Sequence, residues 1–298
     1  MGTTEDEMKW LITGANGQLG KTLSSILRTN GIEVESLARQ SLDISNASDV
    51  DDAIKRTRPD ILVNCAAWND VDGAKTDAEG AVRTNAIGAQ NLAKATNSLG
   101  IRLIHISTDF VFGAVNKEIY SEEDSPSPVN FYGSSKAQGE ILVALENPEA
   151  VILRVSWLYS PYGKNFPKAI IRKLISDEST LNVVNDQVGQ PTSCISLSNT
   201  IFSITKNPQV KGIMHGSSTG SVSRFAFAQT IAKAIGSNPD RIHSITSESL
   251  NLPANRPNRS ILSHERLSTF NLPKPISWES DLELNIEAIL KQVEMELK

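Results

Sequence analysis

The chain has 298 residues, a hydrophobic content of 39%, a charged content of 21% and a formal net charge of -5. This length suits one large α/β domain or one domain with a smaller second lobe. The acidic balance gives no reason to expect a nucleic-acid or anionic-membrane partner, and no apolar run approaches the roughly 20 residues of a membrane span. Cys65 and Cys194 lie in apolar surroundings without a Cys/His cluster, which indicates reduced, buried thiols in a cytoplasmic protein.

The segment from Lys9 to Leu27 predicts a strand, a glycine turn and a helix in succession. Residues 10–12 form a short apolar run that is typical of a buried parallel strand. Three glycines follow, and apolar residues then recur at helical spacing at positions 19, 23, 26 and 27. In a nucleotide-binding βαβ unit, such glycines let the backbone approach a pyrophosphate, and free N–H groups at the helix start hold its charge.

The glycine spacing departs from the usual G-x-G-x-x-G fingerprint. Asn16 stands at the second glycine position, so the pattern is Gly14, Gly17 and Gly20. Three isolated glycines fit a turn without a ligand equally well, but their place between a strand and a helix favours a cofactor site. The turn residues expected to contact the cofactor are Gly14, Asn16, Gly17, Gln18 and Leu19.

Strands and helices go on alternating as far as Val155. Beyond Val155, amphipathic helices are predicted over 222–235 and 282–297. Up to Val155, further strands are predicted over 32–37, 60–64, 101–106 and 150–155, and helices over 47–57, 76–99 and 134–145. This alternation predicts an α/β fold with a doubly wound parallel sheet, in which ligands lie at the carboxyl ends of the strands. We expect a disordered tail at 1–7, a Rossmann domain at 8–155, and over 156–298 mainly a substrate-binding lobe with some segments returning to the Rossmann domain.

The residues after the second and third strands indicate which cofactor binds. An acid about 20 residues past the glycines would repel a 2′-phosphate, whereas Arg39 at this place would pair with one. We predict NADPH, with NADH left open as a second donor; a solvated surface arginine is the alternative. Asp43 and Ile44 are placed to bracket the adenine. Small residues that leave room for a flat cofactor, or simply pack closely, are Cys65, Ala66 and Ala67.

Two polar stretches predict the reaction chemistry. Ser107, Thr108 and Asp109 follow the fourth strand, where hydroxyls can bond a substrate carbonyl, although a turn or a helix cap has the same pattern. Tyr132 and Lys136 are four residues apart and so share one helix face. A nearby ammonium favours the phenolate, lowers the tyrosine pKa from its ordinary value of about 10, and can also reach a cofactor ribose.

Together these motifs resemble the extended short-chain dehydrogenase/reductases, and more narrowly the dTDP-4-dehydrorhamnose reductase family. The resemblance covers roughly residues 8 to 295. The motifs that carry it lie at 14–20, 64–67, 107–112, 132–136, 154–159, 163–166, 185–192 and 256–260. The Asn-Asp-Gln-x-Gly-x-Pro-Thr stretch at 185–192 is much more specific than the Tyr/Lys pair.

The resemblance implies hydride transfer from NADPH to carbon 4 of a nucleotide-linked 4-keto-6-deoxy sugar, with dTDP-L-rhamnose as the expected product. Tyr132 would donate the proton, Lys136 would lower the pKa of Tyr132 and hold the nicotinamide ribose, and Thr108 would hydrogen-bond the carbonyl oxygen. Ser107 ranks second for this last role. Substrate contacts are expected from Ser107, Thr108, Asp109, Trp157, Asn165, Gln187 and Arg256.

Structural roles stay open for several of these residues. Trp157 also fits a core position, the 185–192 loop also fits a rigid connector, and Arg256 and its backup Arg259 also fit a charged surface. Asn255 stands where the family often has a second arginine, and Trp68 where an imidazole or phenol is common. Some family members use magnesium at a dimer contact, but no acidic cluster here requires it, and a homodimer is a family-level expectation.

Two further functions fit the same sequence. One is another enzyme on this scaffold, such as a UDP-sugar 3,5-epimerase/4-reductase or a different deoxysugar 4-ketoreductase. The other is a non-catalytic, NADP-binding regulatory subunit that resembles the β subunit of methionine adenosyltransferase. The presence of Thr108, Tyr132 and Lys136 together favours an enzyme. The nucleotide, the stereochemistry at carbon 4 and the oligomeric state are left undetermined.

Overall fold

The structure is a computed structural model that describes residues 8–177 and 179–298, so the tail predicted at 1–7 lies outside the described residues. The first half contains β1 Trp10–Thr13, α1 Gln18–Thr29, β2 Val34–Leu37, α2 Ala47–Thr57, β3 Ile61–Asn64, α3 Gly73–Thr76, α4 Ala78–Val82, a π-helix Arg83–Gly88, α5 Ala89–Leu99, β4 Arg102–Thr108, a 3-10 helix Asp109–Val111, α6 Phe131–Glu146 and β5 Val151–Val155. The second half contains β6 Leu158–Tyr159, α7 Phe166–Ser176, β7 Leu181–Val184, β8 Val188–Gly189, β9 Thr192–Ser193, α8 Cys194–Thr205, β10 Gly212–His215, β11 Val222–Ser223, α9 Arg224–Ala234, a 3-10 helix Pro239–Arg241, β12 Ile242–Ile245, a 3-10 helix Ser247–Leu250, α10 Glu265–Thr269 and α11 Trp278–Leu297.

Six parallel strands form the central sheet in the order β10-β5-β4-β3-β1-β2. The predicted α/β class with a doubly wound parallel sheet is confirmed. The sequence missed β10, which pairs with β5 from Gly212 opposite Val151 to His215 opposite Arg154. This strand is only four residues long and begins with a left-handed glycine, so it carries no apolar run by which it could be recognised.

Apolar side chains cover both faces of this sheet, because crossover helices connect its parallel strands. On one face Ile12 packs in a cluster with Leu23 of α1 and Ile201 of α8. On the other face Leu11 packs in a cluster with Leu92 of α5. Burying each such side chain contributes about 1.5–3 kcal/mol. The sheet is therefore a rigid support for the residues that follow its strands.

The long helix predicted over 76–99 is continuous from Ala78 to Leu99, but it contains a π-helical stretch at Arg83–Gly88. It begins two residues later than predicted, because Asp77 has non-helical backbone angles (φ -128°, ψ 69°) and caps α4 by accepting from the Gly80 N–H at 2.8 Å. In the widened π-helix, the Asn85 amide bonds the backbone of Trp68 at 2.8 and 3.1 Å and the Ser135 hydroxyl at 2.9 Å. These distant partners are invisible to helical periodicity, and they tie the π-helix to α6.

Three helices begin elsewhere than predicted, because capping side chains set their first turns. Helix α6 begins at Phe131 rather than residue 134, since Asn130 accepts from the Gly133 N–H at 2.8 Å. Helix α9, predicted from residue 222, begins at Arg224 behind the cap Ser223. Helix α11 begins at Trp278 rather than residue 282. Tyr132 and Lys136 consequently lie together in the first two turns of α6.

The second half of the chain builds a smaller apolar core from α7, α9, α11 and the parallel pair of β7 and β12. Asp281 on α11 links this core to α8, since its buried carboxylate accepts hydrogen bonds from the hydroxyls of Ser193, Ser196 and Ser218 at 2.6–3.0 Å. A cleft lies between this part and the sheet. Within the described ranges, none of the helices has the length and apolar character needed to cross a membrane.

Candidate active site

A cavity of about 270 Å³ lies where the strands of the large sheet end. It sits beside β1 and β3, where the strand order reverses, which is the place where open α/β sheets bind ligands. The predicted site residues that line it are Gly17, Gln18, Leu19, Cys65, Ala67, Ser107, Thr108, Asp109, Tyr132, Lys136 and Trp157. Predicted site residues that lie up to 140 positions apart in the sequence are thus brought to one cavity.

The glycine turn combines close packing with an open helix start. Gly14 has a φ of +65°, and a Cβ there would lie 2.5 Å from the Ala66 nitrogen; a Cβ on Gly20 would lie 2.5 Å from the Gly14 carbonyl oxygen. Gly17, the residue before α1, has no side chain to accept from the first N–H groups of that helix. Those donors and the positive end of the helix dipole fit the diphosphate of a dinucleotide such as NADPH. Asn16 is exposed next to them.

Two arginines stand near the end of β2. Arg39 is exposed there, and Arg83 of the π-helix is exposed nearby. Hydrogen bonds from Ser45 hold the pKa of Asp43 below its usual value, and the positive charges of Arg39 and Arg83 act in the same direction. The Asp43 carboxylate accepts from the Ser45 N–H at 3.0 Å and hydroxyl at 2.7 Å, and Ile44 is buried. Sequence reasoning missed Arg83; the roles of Asp43 and Ile44 at an adenine stay predictions.

The phenol of Tyr132 and the hydroxyl of Thr108 meet in the cavity. The Tyr132 ring packs edge-on against Phe110, with 5.6 Å between ring centroids, and its hydroxyl lies 3.5 Å from Asn69 Oδ1. Lys136, one turn further along α6, donates from Nζ to the Ile106 carbonyl oxygen at 2.6 Å. The three predicted catalytic residues are therefore neighbours, with Asn69 as an additional polar group that the sequence did not single out.

The expected lowering of the Tyr132 pKa is wrong for this structure. Burial raises the pKa of Tyr132 to about 12 and the Asp109 carboxylate adds to the rise, while a hydrogen bond with Thr108 opposes it. Burial also lowers the pKa of Lys136 to about 8, because an ammonium is poorly solvated there. Tyr132 consequently stays protonated at neutral pH and can act as a proton donor.

The Ser107 hydroxyl is hydrogen-bonded to a buried ion pair. The hydroxyl donates to Glu140 at 2.6 Å, and Glu140 accepts from the Arg154 guanidinium at 2.9 and 2.7 Å. The Glu140 and Arg154 side chains are 3% and 0% exposed. Ser107 thus supports the end of β4, and both Ser107 and Thr108 line the cavity; their contacts with a substrate stay predictions.

Asp109 is a buried carboxylate held by three hydroxyls. Its Oδ2 accepts from Ser156 at 3.0 Å and from Ser260 at 2.5 Å, and its Oδ1 accepts from Thr108 at 3.1 Å. Burial raises the pKa of Asp109 in spite of these bonds. The carboxylate therefore fixes the turn after β4 and connects it to the loop that carries Ser260.

The second half of the chain closes the cavity with Trp157 and Arg224. Trp157 has a left-handed backbone (φ 45°), and the guanidinium carbon of Arg224 lies 3.5 Å from the centre of its ring. Asn165, which was predicted to contact the substrate, links two segments of the chain. Its side chain caps α7 and donates to Gln18 Oε1 at 2.9 Å. Trp157 is thus at the cavity wall, and Asn165 joins the glycine turn to the second half.

A larger cavity of about 870 Å³ contains Gln187, Asn255, Arg256 and Arg259 in its lining. Arg256, predicted to bind a diphosphate, is paired with Asp72 by two hydrogen bonds of 2.9 and 2.7 Å, which hold the pKa of Asp72 below its usual value. Its predicted ligand contact, like that of Gln187, stays a prediction. Over the described ranges, no group of three His, Cys, Asp or Glu side chains is arranged to hold a metal ion.

The family model described as RmlD substrate binding domain matches residues 8–291. The chain belongs to this family. One relative, the dTDP-4-dehydrorhamnose reductase of Sinorhizobium fredii, is 36% identical, and the match covers 95% of this chain and 98% of the relative. A dTDP-4-keto-6-deoxy-D-glucose reductase of Streptomyces niveus is 34% identical over 92% of this chain and 95% of the relative.

A solved structure extends this agreement to three dimensions. The dTDP-4-dehydrorhamnose reductase of Bacillus anthracis, crystallised in complex with NADP, matches with a TM-score of 0.90 at 37% identity. The match covers 94% of the present chain and 99% of that chain. The family resemblance inferred from the sequence motifs is thereby confirmed.

Proposed function

We propose that this chain is an NADPH-dependent reductase that converts dTDP-4-dehydro-L-rhamnose to dTDP-L-rhamnose. The observation that carries the proposal is the meeting of Thr108 and Tyr132 in one cavity with the glycine turn. A proton donor and a cofactor-binding turn on the walls of one small cavity suit reduction of a carbonyl. The Bacillus anthracis structure in complex with NADP supports the cofactor, and the relatives' names support the sugar nucleotide.

Tyr132 is the proton donor of the proposed reaction. NADPH, when bound, supplies a hydride to carbon 4 of the sugar. Tyr132 then gives its phenolic proton to the oxygen on that carbon, where negative charge develops. Because its pKa is about 12, the phenol is protonated throughout the neutral range, and an alkoxide is a strong enough base to take the proton.

Thr108 stabilises the same oxygen through a hydrogen bond. Its hydroxyl donates to Asp109 Oδ1 at 3.1 Å in the structure, so it must turn from Asp109 to the carbonyl oxygen. Asp109 is not left without donors by this turn, since Ser156 and Ser260 both donate to Oδ2. Lys136 presents its ammonium to the nicotinamide ribose and orients the cofactor.

The affinity for NADPH is expected to fall as the pH rises through about 8, the pKa of Lys136. Below that pKa the side chain is an ammonium with three donors, and above it a neutral amine that binds ribose hydroxyls less strongly. Fluorescence titration of NADPH between roughly pH 7 and pH 10 measures this. Lys136→Arg stays cationic over that range and should lose the transition, so a transition that persists in this variant would contradict the assignment.

The preference for NADPH over NADH is expected to depend on Arg39. Arg39→Ala should raise the KM for NADPH by about tenfold, because an exposed guanidinium–phosphate contact is lost, and leave the KM for NADH unchanged. Arg56→Ala is a matched control, since Arg56 is an arginine on α2 with 59% side-chain exposure. Steady-state kinetics with both cofactors measure the effect; an unchanged preference in Arg39→Ala argues for a plain surface role.

The proposed reaction is tested by mixing the protein with NADPH and dTDP-4-dehydro-L-rhamnose and following the absorbance of the reduced nicotinamide. We expect rapid oxidation with dTDP-L-rhamnose as the product. A parallel assay contains dTDP-4-keto-6-deoxy-D-glucose, the substrate named for the Streptomyces niveus relative. Faster turnover there would transfer the assignment to that sugar. The regulatory-subunit alternative would be favoured by two results together. The protein would bind NADPH without turning over any ketosugar, and a pull-down with it would recover a methionine adenosyltransferase at fixed stoichiometry.

A further inference from the structure

Arg224 is a cation in the reaction cavity that has no part in the mechanism above. It is the first residue of α9, and it lines the cavity together with Thr108 and Tyr132. The guanidinium carbon lies 3.5 Å from the ring centre of Trp157 and 4.9 Å from that of Phe166. Burial lowers its pKa to about 10, so the side chain is still cationic at neutral pH. The aromatic faces hold the guanidinium plane in place.

Throughout residues 8–177 and 179–298, no side chain or carbonyl accepts a hydrogen bond from this guanidinium or forms an ion pair with it; the backbone N–H of Arg224 donates to the Gln187 carbonyl oxygen at 3.1 Å. Asp109 acts on it electrostatically, but the oxygens of Asp109 are taken by hydroxyls. Arg224 is partly buried, a cation that loses hydration is costly unless an anion meets it, and a cation in the first turn of a helix also opposes the helix dipole. Both costs indicate that a ligand supplies the missing anion.

The substrate class of the proposed function carries its negative charge in one place. A 4-keto-6-deoxy sugar ring has a carbonyl, hydroxyls and a methyl group, all of them neutral, whereas the diphosphate that joins it to the nucleoside is anionic. Arg256, the residue expected at that diphosphate, lines the larger cavity and is already paired with Asp72. Arg224 and Arg256 also act on each other electrostatically, so the two cations lie within range of one elongated ligand.

We propose that Arg224, held on the face of Trp157, binds the phosphate that is bonded to the sugar. This inference rests on the proposed function, because it takes a nucleotide-linked neutral sugar as the ligand. A planar guanidinium can donate to two phosphate oxygens at once, and its stacking leaves little side-chain freedom to lose on binding. The contact places the sugar ring between Arg224 at one end and Tyr132 at the other.

Nucleotides with and without the second phosphate isolate this contact. Isothermal titration of dTDP and of thymidine 5′-monophosphate is carried out on the wild type, Arg224→Gln and Arg224→Lys. Arg224→Gln should lower the affinity for dTDP by about tenfold to a hundredfold and leave the monophosphate within about twofold, since one charge-assisted contact is lost. Arg224→Lys keeps the positive charge but lacks the planar, two-donor guanidinium, so its affinity for dTDP should lie between those of the wild type and Arg224→Gln. Lys233→Gln, an exposed cation on the same helix, is the matched control.

Three outcomes would overturn the proposal: equal losses for both nucleotides in Arg224→Gln, no loss for either, or a wild type that binds both equally tightly. Thermal unfolding of each variant verifies its fold, and Arg224→Lys provides the test if Arg224→Gln does not fold. These titrations require neither NADPH nor a ketosugar. A wild type that prefers dTDP but turns over no ketosugar would therefore refute the reductase proposal while leaving the role of Arg224 intact.

Discussion

Tyr132→Phe is expected to lower kcat by about a hundredfold to ten-thousandfold, the range that removal of a general acid produces. The substitution deletes only the hydroxyl. The ring remains buried and packed edge-on against Phe110, so the shape of the cavity changes little. Hydride transfer then has to leave an alkoxide that Thr108 alone stabilises, or to wait for a proton from water.

Two measurements distinguish loss of the proton donor from damage to the site. The Kd for NADPH, measured by fluorescence, should be unchanged in Tyr132→Phe, because the Lys136 ammonium and the glycine turn are untouched. Tyr162→Phe serves as the control, since Tyr162 is a partly exposed tyrosine outside the lining of the reaction cavity. Turnover within tenfold of the wild type in Tyr132→Phe would rule out Tyr132 as the proton donor.

Glu140→Leu is expected to lower the free energy of unfolding by about 3–5 kcal/mol, the usual cost of breaking a buried ion pair. The Arg154 guanidinium is 0% exposed and would be left without its carboxylate. Its Nη1 already belongs to the buried polar atoms that find no partner in the described part of the chain. The Ser107 hydroxyl would lose its 2.6 Å acceptor as well.

The double variant Glu140→Leu/Arg154→Leu sharpens this prediction. It removes both charges together, so we expect it to be less destabilised than Glu140→Leu alone. Urea denaturation measures the midpoints and slopes of all variants. Glu149→Leu is the surface control, because Glu149 is 70% exposed and pairs with Lys211 at 2.8 Å; it should cost at most about 1 kcal/mol. The single variant Arg154→Leu is measured as well. If the double variant loses as much unfolding free energy as Glu140→Leu and Arg154→Leu lose together, the explanation by an uncompensated buried charge is contradicted.

The sequence alone was sufficient for the opening βαβ unit and for the Tyr132/Lys136 pair. Apolar periodicity, glycine conformation and i,i+4 spacing are local properties, so they can be read without knowing which segments meet. The strand at residues 10–13 and the helix at 47–57 lie where that reasoning placed them. The motifs up to residue 260 were also sufficient for the family, which the match over 8–291 confirms.

Only the tertiary structure decided what several polar side chains do, because their partners are far away in sequence. Asn165 bonds Gln18 across 147 positions, and Arg256 bonds Asp72 across 184. Arg224 shows no local pattern that marks it, apart from a positive charge at a helix start. Burial, which raises the pKa of Tyr132, likewise depends on the whole fold. Sequence therefore determines which groups are present and in what local geometry, whereas long-range packing determines which of them remain free to meet a ligand.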